Sequence, residues 1–180
     1  LIACLLALIS DAVLAVEQEE PRFSYNDYVI VLKDYVDDEG MVSYEKLKAQ
    51  PQKLESFITS MDKLDPDSYN KWSDDEKIAF WLNAYNVFTL KAIIDNYPIK
   101  PSFFKSMSYP KNSIRQISGV WGKMTFKVMG EEYTLEHIEH KILRKEFKEP
   151  RIHVAMVCAA IGCPPLRNEP YIGKKLDPQL

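Results

Sequence analysis

One apolar segment, between residues 72 and 97, constrains the fold more than any other part of the chain. It reads WSDDEKIAFWLNAYNVFTLKAIIDNY. Ser73, followed three residues later by Glu76, has the pattern of a capping box, in which each side chain satisfies a backbone N–H at a helix start. Pro98 marks the far end of the segment. Because the apolar residues run almost all the way round the helix, we predict that it is buried on every side.

Three polar side chains interrupt this apolar helix. Asn83, Asn86 and Thr89 are spaced by three and therefore form one stripe along the helix. An unpaired buried amide costs about 1–3 kcal/mol, so the stripe must have partners inside the protein or line a cavity. In the first interpretation the amides tie down neighbouring loops; in the second, Asn83 and Asn86 belong to a site.

The composition indicates one globular domain and excludes several partners. The chain has 180 residues, a net charge of −3, 46% hydrophobic residues and 12% aromatic residues, which excludes a disordered chain. There is no run of Lys or Arg, so we expect no nucleic acid partner. The sequence gives no signal for the oligomeric state.

The first residues differ in kind from the rest. LIACLLALISDAVLA is too short an apolar run to span a bilayer, and it has the h-region and small-residue cleavage pattern of a signal peptide. We predict that residues 1–15 are a signal peptide remnant and that 16–180 form one secreted or periplasmic domain, with no membrane contact after the signal is removed. A buried N-terminal helix is one alternative. A lipid-attachment site at Cys4 is another, although the apolar run follows this cysteine instead of preceding it.

The remaining segments predict short elements around the central helix. Apolar residues at helical spacing indicate helices in 25–36, from Leu47 to Pro51, and in 54–65. Residues 97–122 form a long connection whose aromatic side chains suggest a loop packed onto the body. A β-hairpin follows, then a helix capped by Thr134, and then a β-branched run that indicates a buried strand, at residues 124–133, 134–147 and 151–157. The predicted fold class is α+β: mostly helical, around a buried central helix, with a small antiparallel sheet.

Three motifs resemble one known family. They are FWLNAYN at 80–86, TLEHIEH with ILR at 134–144, and RIHVA through Cys158 to CPPLRNE at 151–169. Together they resemble the domain-of-unknown-function family 547, which occurs in secreted bacterial proteins and in plant proteins. The resemblance runs from about Phe23 to Leu180 and implies no settled reaction. Members usually continue into further helices, so we expect this domain to lack its C-terminal helices.

The reactive side chains near the end of the chain suggest a Cys–His thiol hydrolase. Cys158 or Cys163 would attack an acyl carbon as a thiolate, in a loop beyond the predicted strand. His153 or His140 would accept and return the proton. The residue that orients the imidazole would be Asn83 or Glu139. The substrate would be an extracellular amide or thioester, such as a peptide, and no cofactor is required.

Structural interpretations of the same residues stay open. In an oxidising compartment Cys158 and Cys163 are spaced to form a disulfide, and His153 fits a core histidine. A zinc site is a further alternative, although its spacing matches no standard motif, and we predict no metal. That site would use His137, His140, His153 and Cys158.

A binding module is the alternative from a different functional class. Asn86, Arg144 and Arg167, with the aromatic loop 103–109, are candidates to line a pocket that binds a peptide or a glycan without chemistry. A free thiol beside a histidine would favour the enzyme. A disulfide, or buried sulfur atoms, would favour the module.

Overall fold

A single long helix, α5 (Asp74–Asp95), organises the part of the protein that the computed structural model describes, residues 23–159 and 164–180. Its capping box is present: the Ser73 N–H donates to Glu76 Oε2 at 2.9 Å, and the Glu76 N–H donates to Ser73 Oγ at 3.3 Å. Sixteen of its 22 residues are buried, which confirms the predicted central helix. Within the described residues no helix is long and apolar enough to cross a membrane.

Four helices precede the central helix, and the second and third of them pack directly against it. They are α1 (Asn26–Tyr35), α2 (Tyr44–Ala49), α3 (Gln52–Asp62) and α4 (Pro66–Asn70). The first three agree with the sequence prediction, whereas α4 was not predicted. It forms because the Asp65 carboxylate accepts the Ser68 N–H at 3.0 Å and because proline is well tolerated at the first helical position.

The predicted hairpin is present as β1 (Phe126–Val128) and β2 (Glu131–Tyr133). Its turn residues, Met129 and Gly130, both have positive φ, at 53° and 80°, which suits a tight hairpin turn. Phe126 stacks on Phe88 of α5 with a ring separation of 4.5 Å. This stack fixes the hairpin against the central helix. The small antiparallel sheet among these helices confirms the mostly helical α+β prediction.

The long connection between α5 and the hairpin contains two short 3₁₀ helices, Lys105–Met107 and Ile114–Gln116. The prediction that its aromatic residues pack onto the body is wrong for the first part of the connection. Phe103 and Phe104 are 82% and 80% exposed, and their rings contact each other.

The next helix is interrupted by a π-helical segment. Thr134 Oγ1 accepts the His137 N–H at 3.1 Å, as the capping prediction requires. The helix then runs as α6 (Leu135–His137), a π segment (Ile138–Leu143) and α7 (Arg144–Glu146). π segments inside helices are rare and are frequent at functional sites.

The predicted strand 151–157 is wrong, because this segment begins with a short helix, α8 (Ile152–Ala155). Its turn is closed by backbone hydrogen bonds three residues apart, such as that from the Val154 N–H to the Arg151 oxygen at 3.0 Å. The β-branched residues suggested a strand, but Ile152 and Ala155 bury their side chains on the core from a helical turn. Tertiary packing overrides the weak local preference.

The end of the chain is docked on the central helix. A 3₁₀ helix (Gly173–Lys175) leads into α9 (Leu176–Gln179), where the sequence suggested a helix start. The side chains of Tyr171 and Leu176 are buried. Gly173 lies so close to α5 that an added Cβ would be 2.8 Å from the Glu76 Cα, which explains the glycine at this contact.

Candidate functional site

The two amides of the central helix hold the last part of the chain. Asn83 Nδ2 donates to the Tyr171 carbonyl at 2.7 Å, and its Oδ1 accepts the Tyr171 N–H at 2.9 Å. Asn86 Nδ2 donates to the Ala155 carbonyl at 3.1 Å, and its Oδ1 accepts the Val157 N–H at 2.9 Å. Both amides are almost fully buried. Both amides are therefore hydrogen-bonded to backbone groups, and they tie down loops, as in the first interpretation of the stripe.

These two pairs of hydrogen bonds lie on either side of the segment that contains Cys158. Asn86 holds the chain just before it, and Asn83 holds the chain just after it, at Tyr171. The third member of the stripe, Thr89, donates back to the Tyr85 carbonyl within the helix at 2.9 Å. Asn83 and Asn86 thus act as structural clamps on the segment, and neither points a free amide group at a ligand.

Three of the predicted site residues form one charged cluster. Arg144 Nη2 lies 2.7 Å from Glu139 Oε1 and 2.8 Å from His153 Nδ1. A guanidinium can only donate, so His153 Nδ1 is the acceptor and the neutral ring carries its proton on Nε2. The ring is thereby oriented with an N–H donor on its other side. The structure thus brings His153 and Glu139, candidates for the hydrolase, together with Arg144, a candidate for the binding module.

The cluster is built on the central helix through Tyr85. The buried Tyr85 hydroxyl lies beside Glu139, and burial together with the negative charge of this carboxylate raises the pKa of the tyrosine above its ordinary value. Glu139 lies in the π segment and Arg144 begins α7, so the irregular helix brings the carboxylate and the guanidinium together. A neutral tyrosine, a carboxylate, a guanidinium and an imidazole follow one another from the core to the surface.

A groove of about 440 Å³ opens beside the outer end of this cluster. Arg144 and His153 line it, together with residues of the segment 147–152 that lies between them in the sequence. The lining from that segment is partly apolar, with Phe147 half-buried and Ile152 buried. The residues that line the groove are Arg144, Phe147, Lys148, Glu149, Pro150, Ile152 and His153. Its volume is within the range of small-molecule and peptide side-chain sites.

The acidic residue of the groove is neutralised by a neighbour. The Arg151 guanidinium donates to both oxygens of Glu149, at 2.9 and 2.8 Å, and its Nη2 also donates to Asp177 at 2.9 Å. These hydrogen bonds lower the pKa of Glu149 to about 2, so it stays an anion committed to Arg151. Lys148 is exposed, and the groove therefore presents positive charge and N–H donors to a ligand.

Cys158 is disulfide-bonded in the structure. A disulfide sulfur is not a thiolate, so the predicted nucleophile at Cys158 is corrected for this oxidised state. The chain has three cysteines, and the other two, Cys4 and Cys163, lie outside the described residues. The prediction for Cys163 as a nucleophile therefore stays a prediction.

Two other predicted residues lie apart from the cluster. His140 is exposed on the π segment, and within the described part of the chain no hydrogen bond joins it to Arg144 or His153. Arg167 pairs with Glu169 at 2.5 Å, and its guanidinium lies over the Tyr171 ring at 5.8 Å. Arg167 thus stabilises the docked end of the chain.

The zinc alternative finds no support in the described ranges. Among residues 23–159 and 164–180, no group of three or more His, Cys, Asp or Glu side chains is arranged to hold a metal ion. His153 Nδ1 is already occupied by the Arg144 guanidinium, which leaves one ring nitrogen for any other partner.

The sequence reasoning missed Tyr85 and the groove-lining residues Phe147 and Lys148. Tyr85 directly precedes Asn86 in the buried helix, and a polar hydroxyl at such a position was a usable signal, because buried tyrosines usually find a polar partner. Phe147 and Lys148 carried no comparable signal, since an aromatic and a lysine after a helix end are common in structural loops.

Comparisons with known proteins agree with the motifs on α5, on the interrupted helix and after α8. Searches against curated proteins and solved structures found no match. A family model described as "Protein of unknown function, DUF547" matches residues 69–180, which include the clamps, the charged cluster and the groove. Since this match covers more than half of the 180 residues, the chain belongs to the DUF547 family.

Proposed function

We propose that this protein is a secreted or periplasmic binding module whose groove beside Arg144 and His153 takes a peptide through a carboxylate. The observation that carries the proposal is the geometry of Arg144, whose Nη2 orients His153 while the residue lines a groove with Lys148. Because Nη2 already donates to Glu139 and His153, the Arg144 Nε and Nη1 groups would donate to the ligand carboxylate, and the oriented imidazole N–H adds a further donor. The family description itself names no reaction.

The apolar side of the groove supports a peptide as the ligand. Phe147, Pro150 and Ile152 line it beside the cationic side chains. A peptide offers an apolar side chain close to a carboxylate, either at its C-terminus or on an acidic residue, whereas a neutral glycan offers no anion. The ring of His153 would donate from Nε2, because its Nδ1 accepts from Arg144.

The extracellular compartment is part of the proposal. The apolar residues 1–15 are typical of a signal peptide, although they lie outside the described residues. The disulfide at Cys158 supports an oxidising environment, since disulfides persist mainly in secreted and periplasmic proteins.

The thiol hydrolase is the second candidate. In its favour, Glu139, Arg144 and His153 hold an oriented imidazole of the kind that a proton-transferring base requires. Against it, Cys158 has no thiol while its disulfide is intact. A hydrolase that uses Cys158 as its nucleophile would be active only after reduction.

Binding of a matched pair of synthetic hexapeptides tests the proposal. Both have an acetylated N-terminus and a C-terminal leucine; one ends in a free carboxylate and the other in an amide. We expect ¹H–¹⁵N NMR titration to show saturable shifts around Arg144 and His153 with the carboxylate peptide, and much weaker shifts with the amide.

Two variants keep the test specific. Arg144→Lys keeps the charge but removes the guanidinium N–H groups, so we expect it to weaken binding of the carboxylate peptide about tenfold or more. Arg115→Lys changes an exposed arginine outside the groove and should leave binding unchanged. Equal affinity for both peptides, or equal loss in both variants, would contradict the proposal.

A further inference from the structure

A second surface, distant in sequence from the groove, exposes large apolar side chains. Phe103, Phe104 and Met107 are 82%, 80% and 79% exposed, and they lie within five residues of one another. The rings of Phe103 and Phe104 meet edge to face at 5.6 Å. Clustered exposed apolar side chains of this size usually mark an interaction site, whereas single ones need no explanation.

The loop that carries these side chains is held in place from the core. The buried Gln116 side chain accepts the Ser102 N–H at 3.0 Å, and its Nε2 donates to the carbonyls of Tyr109 and Pro110 at 3.3 and 3.1 Å. A single amide thus joins the beginning and the end of the loop 102–110. The three exposed apolar side chains therefore lie on a loop whose two ends are held together by Gln116.

The charge of the surrounding segment is opposite to that of the rest of the chain. Residues 96–130 contain no acidic residue and six basic ones, whereas the rest of the chain has a formal charge of −9, because the total is −3. The six are Lys100, Lys105, Lys111, Arg115, Lys123 and Lys127. All except the half-buried Lys105 are exposed. The apolar loop therefore lies in the most positive part of the sequence.

Part of this charge surrounds a concave site beside the loop. A pocket of about 420 Å³ is lined by Lys105, Arg115 and Lys123, with the Trp121 ring at its wall and Glu136 as the one acidic residue in its lining. Three cations around such a space fit a phosphate group, which lysine and arginine side chains bind well.

We propose that the loop 102–110 attaches the protein to the surface of an anionic phospholipid bilayer. Phe103, Phe104 and Met107 would enter the interface between headgroups and acyl chains, and the surrounding Lys and Arg would bind lipid phosphates. This surface attachment differs from the sequence expectation of no membrane contact, and the exposure of the three side chains is the reason for the change.

The shape of the apolar cluster favours lipid over nucleic acid. Proteins that bind single strands hold bases in a basic groove on aromatic faces. Here two aromatic rings contact each other and a methionine stands beside them, so apolar volume is directed outward. An outward wedge with flanking cations matches a bilayer surface.

Vesicle sedimentation tests the proposal with the whole chain. We expect the protein to sediment with vesicles that contain phosphatidylglycerol and to remain in solution with vesicles of phosphatidylcholine alone. Binding should fall strongly when the salt concentration is raised from about 0.05 M to about 0.5 M, where the Debye length is much shorter. A soluble oligonucleotide should not displace the protein.

Two pairs of variants separate the apolar and the charged contributions. F103S/F104S should reduce binding about tenfold or more, whereas Met41→Ser, at a residue that is 62% exposed elsewhere, should not. K100E/K111E should abolish binding, whereas K33E/K63E makes the same charge change at exposed lysines outside the segment and should bind far better. Circular dichroism establishes that each variant is folded.

Four results would overturn the proposal, and displacement by the oligonucleotide is one of them. The first is no binding to phosphatidylglycerol vesicles. The second is full binding by F103S/F104S. The third is a dimer in analytical ultracentrifugation that F103S/F104S abolishes, which would mean that a second copy of the chain covers the loop. Displacement by the oligonucleotide would indicate a nucleic acid site.

Discussion

Asn83 and Tyr171 are joined by two hydrogen bonds, although they are 88 positions apart in the sequence. The Asn83 amide donates to the Tyr171 carbonyl at 2.7 Å and accepts from its N–H at 2.9 Å. The side chain makes the two hydrogen bonds to the Tyr171 backbone that a neighbouring β-strand would otherwise make. One buried side chain of the central helix thus fixes the backbone of Tyr171 in the docked end of the chain.

The first prediction concerns this pair. Asn83→Leu leaves both backbone groups of Tyr171 buried without a partner, so we expect the free energy of unfolding to fall by about 1–3 kcal/mol. Urea denaturation followed by circular dichroism measures the change. Asn112→Leu, at an exposed asparagine, is the control and should stay within about 0.5 kcal/mol. A loss for Asn83→Leu no larger than that of the control would mean that the clamp does not stabilise the fold.

The second prediction separates the two clamps. Asn86→Ala removes the acceptor of the Val157 N–H, and we expect amide exchange at Val157 to accelerate about tenfold or more, because local opening becomes easier. The Tyr171 N–H is held by Asn83 and should keep its protection. Unchanged exchange at Val157 would show that Asn86 does not protect this amide, and equal acceleration at both amides would show that the clamps are not independent.

The sequence was sufficient for the features that depend on local chemistry. Ser73 with Glu76, and Thr134 at its helix start, are caps whose partners lie three residues away, and both are present. The Met129–Gly130 turn was readable for the same reason. Burial of Asn83 and Asn86 followed from the apolar residues around them, but the identity of their partners did not.

The site was only partly predictable, because its residues meet through tertiary structure. Glu139, Arg144 and His153 were separate candidates, and the π segment and the α8 turn bring them together. No local pattern indicates a π segment, and the β-branched run after Arg151 favoured a strand. The predicted strand placed His153 in an extended segment, with no indication of a contact with Arg144.

The third prediction uses two glycines with similar φ values and different surroundings. Gly40 has φ +78°, and an added Cβ would lie 2.5 Å from the Pro165 Cβ and 2.9 Å from the backbone of Leu166. Gly130 has φ +80°, and its added Cβ would meet nothing within 4 Å. Gly130→Ala should therefore cost about 1 kcal/mol from backbone strain, and Gly40→Ala clearly more, because the loop 164–166 must also move.

Thermal and urea denaturation of the two alanine variants, measured side by side, check this difference. Equal destabilisation would mean that the contact between the 37–40 turn and Pro165 gives way without cost.

The fourth prediction concerns acid stability. Hydrogen bonds from Arg151 lower the pKa of Glu149 to about 2 in the folded protein, against an ordinary value of 4.5. A depressed folded pKa means that the stabilisation is complete above about pH 4.5 and is lost as the pH falls towards about 2. Glu149→Gln should therefore lower stability at neutral pH and flatten its decline across this window.

Arg151→Gln removes the partner of Glu149 and should give the same flattening. Urea denaturation at a series of pH values between neutrality and about pH 2.5 measures both variants. A decline as steep as that of the unmodified protein in both variants would show that this ion pair contributes nothing to acid sensitivity.

The oxidation state of Cys158 distinguishes a binding module without thiol chemistry from a thiol hydrolase. The unreduced protein is treated with iodoacetamide at pH 6 and digested, and the peptide that contains Cys158 is identified by mass spectrometry. We expect Cys158 to stay unmodified until a reductant is added, because its sulfur is in a disulfide. Alkylation of Cys158 in the unreduced protein, faster than that of glutathione, would contradict this expectation and favour the thiol hydrolase.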